Sequence, residues 1–294
     1  MDIAGSIDNR SNAVLTITSM NEAQFRRLVE FIYKVCGIKL NESKKVMLES
    51  RLSKRLKALG MKSYKDYCEY LFSQEGRDEE LIHMIDMVTT NKTDFFREPA
   101  HFDFLRRMAV PELIKTHGAG TSRKLAVWSA GCSTGEEPYT LAMVLNDYAE
   151  MHRGFEYLIL ATDISTRVLD AAKTGIYREE QVVPVPQDFR KKYLLRGKER
   201  HMGKVRVVPE LREMIRFRRL NFIEGDFGMR EPLDIVFCRN VIIYFDRPTQ
   251  EKLINRISSH MVPGGYLFMG HSETLNGMNV PLASVAPTVY RKEP

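Results

Sequence analysis

The chain has 294 residues, of which 44% are apolar and 28% charged, a composition typical of globular proteins and a length that fits one large domain or two modest ones. No apolar run approaches the ~20 residues of a membrane helix, and the N-terminus carries no secretory signal, so we expect a cytosolic protein without membrane insertion. The net charge of +6 permits an acidic partner, whereas four cysteines without a C-x-x-C pair argue against a disulfide framework and a zinc site.

The first part of the chain predicts helices. Residues 1–18 are polar and lack periodicity, which predicts a disordered lead, and residues 19–88 are expected to form a small helical domain. Its first helix should begin at Ser19, whose spacing to Glu22 is that of a capping box, and should end before Gly37. Apolar residues at helical spacing predict three further helices, roughly at Glu42 to Leu59, Ser63 to Phe72 and Asp78 to Val88.

Four basic residues lie beside the leucine stripe of the second predicted helix, and Lys57 lies further round the helix. They form either a solvated face, which is the usual outcome for surface charges, or a docking face for an acidic partner. The sequence pattern does not choose between the two. The residues are Lys44, Arg51, Lys54, Arg55 and Lys57.

Residues 89–123 are expected to be a connecting segment followed by a helix. Its first part, Thr89–Glu98, is compact and polar with two aromatics, which suits a lid and a linker equally well.

Residues 124–294 alternate short apolar runs with helical stretches, which predicts an α/β domain with a doubly wound, Rossmann-like parallel sheet. A proline-containing insertion at about 182–212 interrupts this pattern and predicts a small β-subdomain. The strands are expected at Leu125–Ala130, Tyr157–Thr162, Ile215–Leu220, Asp234–Cys238 and Tyr266–Met269, with Val289-Tyr290 as a late edge strand.

A glycine-bearing loop follows the first of these strands, within Val127–Tyr139. Such a loop between a strand and a helix often begins a cofactor site. This loop has neither G-x-G-x-x-G nor a Gly-Lys-Ser/Thr ending, and it closes on Glu136 and Glu137, which would repel phosphate. Carboxylates suit a cationic amine and ribose hydroxyls, which points to S-adenosylmethionine. The alternative is an ordinary turn with solvated glutamates.

Other polar residues follow the later strands and should meet at the same carboxyl edge of the sheet. Asp163 follows the second strand, where it would bind ribose hydroxyls or cap a helix beside Ser165. Asn221 could pair with an adenine edge, and Phe222 offers apolar cover. The pair Arg239-Asn240 follows the fourth strand.

These blocks together closely resemble the CheR family of chemotaxis receptor methyltransferases, over most of the chain from Ser19 to the Val289-Tyr290 strand. The resemblance implies transfer of a methyl group from S-adenosylmethionine to glutamate side chains of transmembrane chemoreceptors, giving glutamyl methyl esters and S-adenosylhomocysteine. No metal is implied. The blocks that carry the resemblance are Thr90–Glu98, Trp128–Tyr139, Ala161–Asp163, Phe237–Asp246 and Gly270–Glu273.

The family pattern also implies roles for individual residues. Asn91, Thr93 and Arg97 would cover the methionine end of the cofactor, with Arg97 facing its carboxylate or the incoming glutamate. Glu137 would meet the amino group, Asp163 the ribose, and Asn221 with Phe222 the adenine. Arg239, Asn240 and Tyr244 would line the floor near the transferred methyl, and Arg97 and Tyr244 are the candidate catalytic residues. Which of Glu136 and Glu137 turns inward stays open.

The family pattern assigns partners as well. The basic helix would meet the cytoplasmic helical bundle of the receptor through Arg51, Lys54, Arg55 and Lys57. Some members also grip the receptor's C-terminal peptide by adding it as a strand to the β-subdomain. This chain has Gly197, Gly203 and Arg206 there but places Lys198 and Glu199 where tethering members commonly have a second glycine, so peptide binding stays open. We expect a monomer.

Two other classes compete with this interpretation. An RNA methyltransferase would suit the basic charge, but Arg239–Tyr244 stands where base-methylating enzymes commonly have an Asp/Asn-Pro-Pro-aromatic block, so we expect no nucleic-acid partner. A non-enzymatic receptor-array adaptor could retain the cofactor pocket, although the intact motifs argue against it. A related enzyme that serves another signalling array is not separable by sequence.

Overall fold

The structure, a computed structural model, describes residues 17–294, which form two compact units. One unit contains residues 17–31 and 40–88, and the other contains residues 32–39 and 89–294. The expected disordered lead lies outside the described residues except for its last two, of which Thr18 donates its N–H to the Lys62 carbonyl at 3.2 Å. Within residues 17–294, no helix combines the length and the apolar composition needed to cross a bilayer.

The helical unit contains α2 to α5 and α1 up to Phe31, whereas residues 32–36 at the end of α1 belong to the other unit. The bounds of these helices depart from the sequence expectation at three places. Helix α1 has its capping box at Asn21 and Gln24 rather than at Ser19 and Glu22, since Asn21 Oδ1 accepts from the Gln24 N–H and Gln24 Oε1 accepts from the Asn21 N–H, each at 2.9 Å. A 3-10 turn, Glu42–Lys44, precedes α2. The helix expected at Asp78 to Val88 begins at Leu81, and a separate helix capped by Ser73, Gln74–Glu79, precedes it. The helices are α1 (Glu22–Cys36), α2 (Lys45–Ala58), α3 (Tyr64–Phe72), α4 (Gln74–Glu79) and α5 (Leu81–Val88).

The core of the helical unit follows from the apolar spacing. Leu48, Leu52 and Leu56 recur every four residues along α2 and are fully buried. They share the interior with Phe25 and Leu28 of α1 and with aromatic and aliphatic residues of α3 and α5.

The α/β unit is organised around a seven-stranded sheet with the order β6-β2-β1-β7-β8-β10-β9. The five neighbouring strands β6, β2, β1, β7 and β8 are parallel, and β10 and β9 add an antiparallel edge. In chain order within this sheet the strands read 3-2-1-4-5-7-6, so the winding reverses between β1 and β7. The strands are β1 (Leu125–Ala130), β2 (Tyr157–Asp163), β6 (Ile215–Arg219), β7 (Leu233–Cys238), β8 (Met261–Met269), β9 (Leu282–Ala286) and β10 (Val289–Lys292).

Helices cover both faces of this sheet, because alternate strand residues are buried on opposite sides. Val127 and Phe237 pack in one apolar cluster, which also contains residues of α7 and α8. Trp128 and Val236 pack in a second cluster, to which α12 contributes. The helices of this unit are α6 (Ala100–Phe104), α7 (Val110–His117), α8 (Glu136–Met151), α9 (Thr166–Thr174), α10 (Gln187–Tyr193), α11 (Pro209–Glu213) and α12 (Arg247–Ser259).

A small three-stranded antiparallel sheet is inserted between α9 and β6. Its order is β3-β5-β4, where β3 is Ile176–Arg178, β4 is Leu194–Arg196 and β5 is Lys204–Val207. The sheet begins earlier in the chain than residue 182 because Ile176 pairs with Arg206 directly after α9. The expected class, a Rossmann-like α/β domain with an inserted β-subdomain and a preceding helical domain, is confirmed.

Candidate functional site

The candidate site lies at the carboxyl ends of β2, β1 and β7, which are neighbours in the sheet. Ser129 of β1 pairs with Ala161 of β2 and with Phe237 of β7, so the three strands end at nearly the same level. The reversal of winding separates the loops that follow β1 and β7 and leaves a crevice between them, which is where open α/β sheets bind ligands. The residues predicted from the sequence follow these strand ends.

The glycine loop is tied to β2 by backbone hydrogen bonds. The N–H groups of Gly131 and Cys132 donate to the Thr162 carbonyl at 2.8 and 2.9 Å, and the Ser133 N–H donates to Asp163 Oδ2 at 2.9 Å. Gly135 then starts α8 with φ 100°, a conformation that an L side chain rarely adopts. The loop therefore delivers the first turn of α8 into the crevice.

Glu136 and Glu137 occupy this first turn and are 3% and 8% exposed, so the interpretation as solvated glutamates is wrong. Glu136 Oε2 accepts from Thr134 Oγ1 at 2.6 Å, and burial raises the pKa of its carboxyl. Glu137 instead accepts from Ser129 Oγ and from Arg239 Nε, each at 2.7 Å. Glu137 is thus the member of the pair that faces β1 and β7.

Arg239 is the centre of the buried polar network at the site. Besides Glu137, it reaches the Arg97 carbonyl at 2.6 Å and Glu98 Oε2 at 3.3 Å through Nη1. The same nitrogen lies 3.3 Å from Nδ1 of the buried His101. One guanidinium with two carboxylates leaves this part of the edge acidic, which suits a cationic ligand group.

His101 is held in one tautomer by its neighbours. Thr288 Oγ1 donates to the Pro287 carbonyl at 2.8 Å, so at 2.9 Å it accepts from His101 Nε2–H. Nδ1 then carries a lone pair toward Arg239, which is always a donor. Burial, together with the Arg239 charge, lowers the pKa of His101 to about 4, so the ring is neutral at pH 7.

Glu98, His101 and His271 place potential metal-ligand atoms within 4.8 Å of one another. The Arg239 Nη1 atom lies 3.3 Å from both Glu98 Oε2 and His101 Nδ1. Glu98 and His101 therefore already face the guanidinium of Arg239, and the cluster gives no support for a metal ion.

Asp163 ends β2 and is buried beside the glycine loop. Its Oδ2 accepts from Ser133 N–H, and its Oδ1 accepts from Ser165 N–H at 2.9 Å. The cap of α9 is Ser165 itself, whose Oγ accepts from Val168 N–H. Asp163 therefore braces the loop, and its role toward a ribose stays a prediction.

The segment before the α/β body is anchored at the site on two sides. Ser133 Oγ donates to the Asn91 carbonyl at 2.9 Å, and the Arg97 carbonyl accepts from Arg239. Phe96 and Glu98 have φ of 53° and 58°, and strained backbone of this kind is kept where the surroundings over-determine it. Thr93 and Arg97 are half-buried, and Arg97 Nη1 lies 3.4 Å from the Lys92 carbonyl. The segment is therefore tied both to the glycine loop and to Arg239.

Asn221 and Phe222 follow β6, and both have partners within the α/β unit. Asn221 is 3% exposed, donates to the Val35 carbonyl at 2.7 Å and accepts from Ile223 N–H at 3.1 Å. One amide hydrogen and one oxygen lone pair remain for another partner. Phe222 packs against Trp128, with ring centroids 6.1 Å apart. The structure brings Asn221 to the edge but uses its amide for the fold.

Two further predicted residues lie in the loop after β7. Asn240 has a left-handed φ of 59°, and Tyr244, half-buried, ends the 3-10 turn Ile242–Tyr244. The carboxylate of Glu273 accepts hydrogen bonds from this loop. The sequence motifs contain Glu98, Ser129 and Glu273 without indicating roles for them, and His101 lies outside every motif.

The predicted docking residues lie on α2 of the helical unit. Arg55 makes a bidentate ion pair with the buried Glu80, at 2.9 and 2.6 Å, and Arg51 donates to the Val88 carbonyl at 2.6 Å. Lys54 and Lys57 are exposed. Two of the four predicted docking charges are therefore engaged within the helical unit itself.

The predicted peptide-tethering residues lie in and beside the loop between β4 and β5. Gly203 has φ 78°, Glu199 has φ 50°, and Arg206 Nε donates to the Thr174 carbonyl at 3.2 Å. A Cβ at Gly197 would lie 2.1 Å from the His201 carbonyl oxygen, so this tight loop excludes any larger residue there.

Comparison with known proteins matches both parts of the chain. Residues 23–89 match the family described as "CheR methyltransferase, all-alpha domain", and residues 91–290 match "CheR methyltransferase, SAM binding domain". A chemotaxis protein methyltransferase of Borreliella burgdorferi is 40% identical over 285 residues, covering 97% of this chain and 98% of the relative. Chemotaxis protein methyltransferase 2 of Pseudomonas aeruginosa is 40% identical, covering 90% of this chain and 91% of the relative. The chemotaxis protein methyltransferase of Escherichia coli is 37% identical, covering 92% and 91%. The chain therefore belongs to the CheR methyltransferase family.

Proposed function

We propose that this protein transfers the methyl group of S-adenosylmethionine to glutamate side chains of transmembrane chemoreceptors, for sensory adaptation in the cytoplasm. The family match and the names of the relatives support a methyltransferase of chemotaxis. The observation that carries the proposal is the buried acidic edge between β1 and β7, where Glu137 meets Arg239 at 2.7 Å.

The donors at this edge fit S-adenosylmethionine, which when bound supplies an electrophilic methyl group on a positively charged sulfur. A phosphate-bearing cofactor would be repelled by three buried carboxylates, those of Glu136, Glu137 and Asp163. We assign Glu137 to the amino group and Asp163 to the ribose. Asn221 and Phe222 are assigned to the adenine, Asn91, Thr93 and Arg97 to the methionine end, and Arg239, Asn240 and Tyr244 to the floor of the site.

Methyl transfer to a glutamate carboxylate requires little proton transfer by the protein. A glutamate with a pKa of ~4.3 is already an anion at neutral pH, so no side chain has to act as a general base. The enzyme has to align this carboxylate and remove water from it. The aromatic lid residues suit the second task, since Phe95 is 1% exposed and Phe96 is half-buried.

Arg97 and Tyr244 are proposed to orient the reacting groups. The half-buried guanidinium of Arg97 would steer the incoming carboxylate, and Tyr244 would orient the carboxylate or the cationic group that faces it. We expect Arg97→Ala to lower kcat with cofactor affinity reduced less. Full turnover by this variant would remove Arg97 from the mechanism.

The receptor bundle is proposed to dock on α2 through Lys54 and Lys57, which are the exposed members of the four residues that the family pattern assigns to docking. The acidic methylation region of the bundle would face the ammonium groups of these two lysines. Complementary charges of this kind raise the rate of association more than they raise the affinity of the complex. Arg51 would contribute by tying α2 to the end of α5, and Arg55 by tying it to Glu80, which lies between α4 and α5.

The proposal is tested with methyl-labelled S-adenosylmethionine and receptor cytoplasmic fragments. We expect label to enter the fragment and to leave as methanol in mild alkali, because carboxyl esters hydrolyse there and N-methyl groups do not. Glu137→Gln should lose most of this transfer. Cofactor binding without labelling would favour the adaptor, and label appearing in RNA instead would favour the rival enzyme class.

A further inference from the structure

Glu273 is a buried carboxylate that accepts four backbone hydrogen bonds. It is 4% exposed. Its Oε2 accepts from the N–H groups of Asn240 and Gly270 at 2.7 Å, and its Oε1 accepts from those of Val241 and Ile242 at 2.9 Å. Each oxygen thus receives two donors, and three of the four come from consecutive residues of the loop after β7.

These contacts hold the loop in a conformation that it would not favour alone. Asn240 has φ 59°, in the left-handed region that residues other than glycine adopt uncommonly. Val241 and Ile242 lie at the start of the 3-10 turn Ile242–Tyr244, where backbone N–H groups lack partners within the turn. The Glu273 carboxylate supplies those partners from the segment after β8.

Gly270 brings this segment directly against the loop. A Cβ at Gly270 would lie 2.5 Å from Asn240 Nδ2 and 2.9 Å from the Asn240 backbone nitrogen. The loop therefore rests on the backbone between β8 and Glu273, with no room for a side chain. Steric contact and hydrogen bonding fix the same residues independently.

The loop carries groups that the proposed reaction needs. Arg239, which precedes the clamped residues, makes the 2.7 Å ion pair with Glu137 and the 2.6 Å contact with the Arg97 carbonyl. Asn240 itself and Tyr244, at the end of the turn, complete the set. A shift of ~1 Å in this backbone would misplace all three side chains, and misplacement on that scale is costly in catalysis.

We propose that Glu273 is a positioning residue for methyl transfer, whose carboxylate clamps the backbone of residues 240–242 and so places Arg239, Asn240 and Tyr244 at the site. This inference rests on the proposed function. The carboxylate itself is not a reacting group, since both of its oxygens are turned to backbone donors of the protein.

The main test is Glu273→Gln, measured by calorimetric binding of S-adenosylhomocysteine, by thermal unfolding and by receptor methylation. The amide keeps one acceptor oxygen but directs an NH₂ group at two N–H donors. We expect the Kd for S-adenosylhomocysteine to rise about tenfold or more, because unpaired N–H donors release the backbone of residues 240–242 from the position that ligand binding requires. The kcat should fall while the KM for the receptor fragment stays near the wild-type value.

Asp234→Asn is the matched control. Asp234 is a fully buried carboxylate at the opposite end of β7, where it accepts from Arg123 and from the Ala126 N–H. We expect it to lower the Tm without changing the Kd. If both variants lower the Tm and neither changes the Kd or the kcat, Glu273 is only structural and the proposal is wrong.

Two more measurements cover other outcomes. If Glu273→Gln does not fold, Gly270→Ala is tested in its place. This substitution displaces Asn240 while the carboxylate stays in place, so it should weaken binding of S-adenosylhomocysteine in the same way.

Hydrogen exchange of the 240–242 amides reports on the clamp without any ligand and should accelerate in Glu273→Gln. Failure of the wild-type protein to bind S-adenosylhomocysteine would refute the proposed function, whereas intact binding in both clamp variants would refute only the role of Glu273.

Discussion

Glu136 and Glu137 are adjacent residues of the same type in the first turn of α8, but their side chains contact different groups. Glu136 meets the hydroxyl of Thr134, two residues away, whereas Glu137 meets Arg239, which is 102 positions distant in the chain. A sequence pattern reports neighbours in the chain, so it placed both glutamates at the site but could not choose between them. The choice depends on the pairing of β1 with β7.

The two glutamates predict different responses to the same change. Glu137→Gln leaves a buried guanidinium with one carboxylate fewer, so we expect it to lower the free energy of unfolding by about 3 kcal/mol and to weaken cofactor binding. Glu136→Gln keeps the acceptor for Thr134 and should cost less than about 1 kcal/mol. Urea unfolding and calorimetry check this pair. Equal effects of the two substitutions would contradict the assignment of Glu137.

His101 gives the site a dependence on pH. The folded ring has a pKa of about 4 against 6.5 for an ordinary histidine, so between these values the unfolded chain binds more protons and stability rises with pH. The contribution is present above pH 6.5 and is lost on acidification toward pH 4, by about 2 kcal/mol between pH 7 and pH 5.

The check on His101 is chemical denaturation of wild type and His101→Gln at several pH values. The variant should lose less stability than wild type on acidification, because its amide does not take up a proton. His83→Gln, at an exposed position of α5, is the control and should follow wild type. Parallel curves for wild type and His101→Gln would rule out this source of pH dependence.

At the scale of elements, hydrophobic periodicity predicted the central strands closely. The capping box of α1 was predicted wrongly, since it lies at Asn21 and Gln24. The expected bounds of β1 agree with the structure, and those of β2, β6 and β7 differ by one residue. The strand β8, however, begins at Met261 rather than at Tyr266, because Met261 pairs with Leu233 of β7. The strand therefore includes Pro263 and the two glycines that follow it. Buried runs of apolar residues mark a strand, but its ends depend on the neighbour with which it pairs.

The loop that starts α8 predicts the effect of a glycine substitution. At Gly135 (φ 100°) a Cβ would lie 2.7 Å from Tyr177 Oη and 3.0 Å from Ala172 Cβ. Gly135→Ala should therefore cost about 3 kcal/mol, from backbone strain and steric overlap together, and should weaken cofactor binding. Urea unfolding measures the first effect and calorimetry the second.

Gly154→Ala is the matched control for that substitution. Gly154 has φ 83° but nothing within 4 Å of its Cβ position, so only backbone strain of about 1 kcal/mol is expected there. Similar losses at the two glycines would show that packing at Gly135 contributes little.

At the scale of the whole molecule, net charge and the basic helix bear on partner binding. The chain carries a formal charge of +6, yet Arg55 is already paired with Glu80. We expect Lys54→Glu with Lys57→Glu to raise the KM for receptor fragments about tenfold at low salt and less at high salt, since exposed charges are screened. Steady-state methylation at two ionic strengths measures this.

Lys65→Glu, an exposed charge reversal on α3, is the matched control for the docking face. It should leave the KM for the receptor fragments near the wild-type value. The affinity for S-adenosylhomocysteine should be unchanged in all of these variants, because the lysines belong to the helical unit. A KM equally raised by Lys65→Glu would indicate an effect of net charge alone.

By itself the sequence determined the fold class, the strands that surround the site and the residue types that follow each strand, because hydrophobic periodicity and strand-end motifs are local properties of the chain. It also carried the family resemblance. Only the tertiary structure decided that Glu137 rather than Glu136 meets Arg239, that His101 is buried beside that arginine, and that Glu273 holds residues 240–242. These contacts join residues far apart in the chain, and they form because the parallel sheet brings the ends of its central strands to one edge.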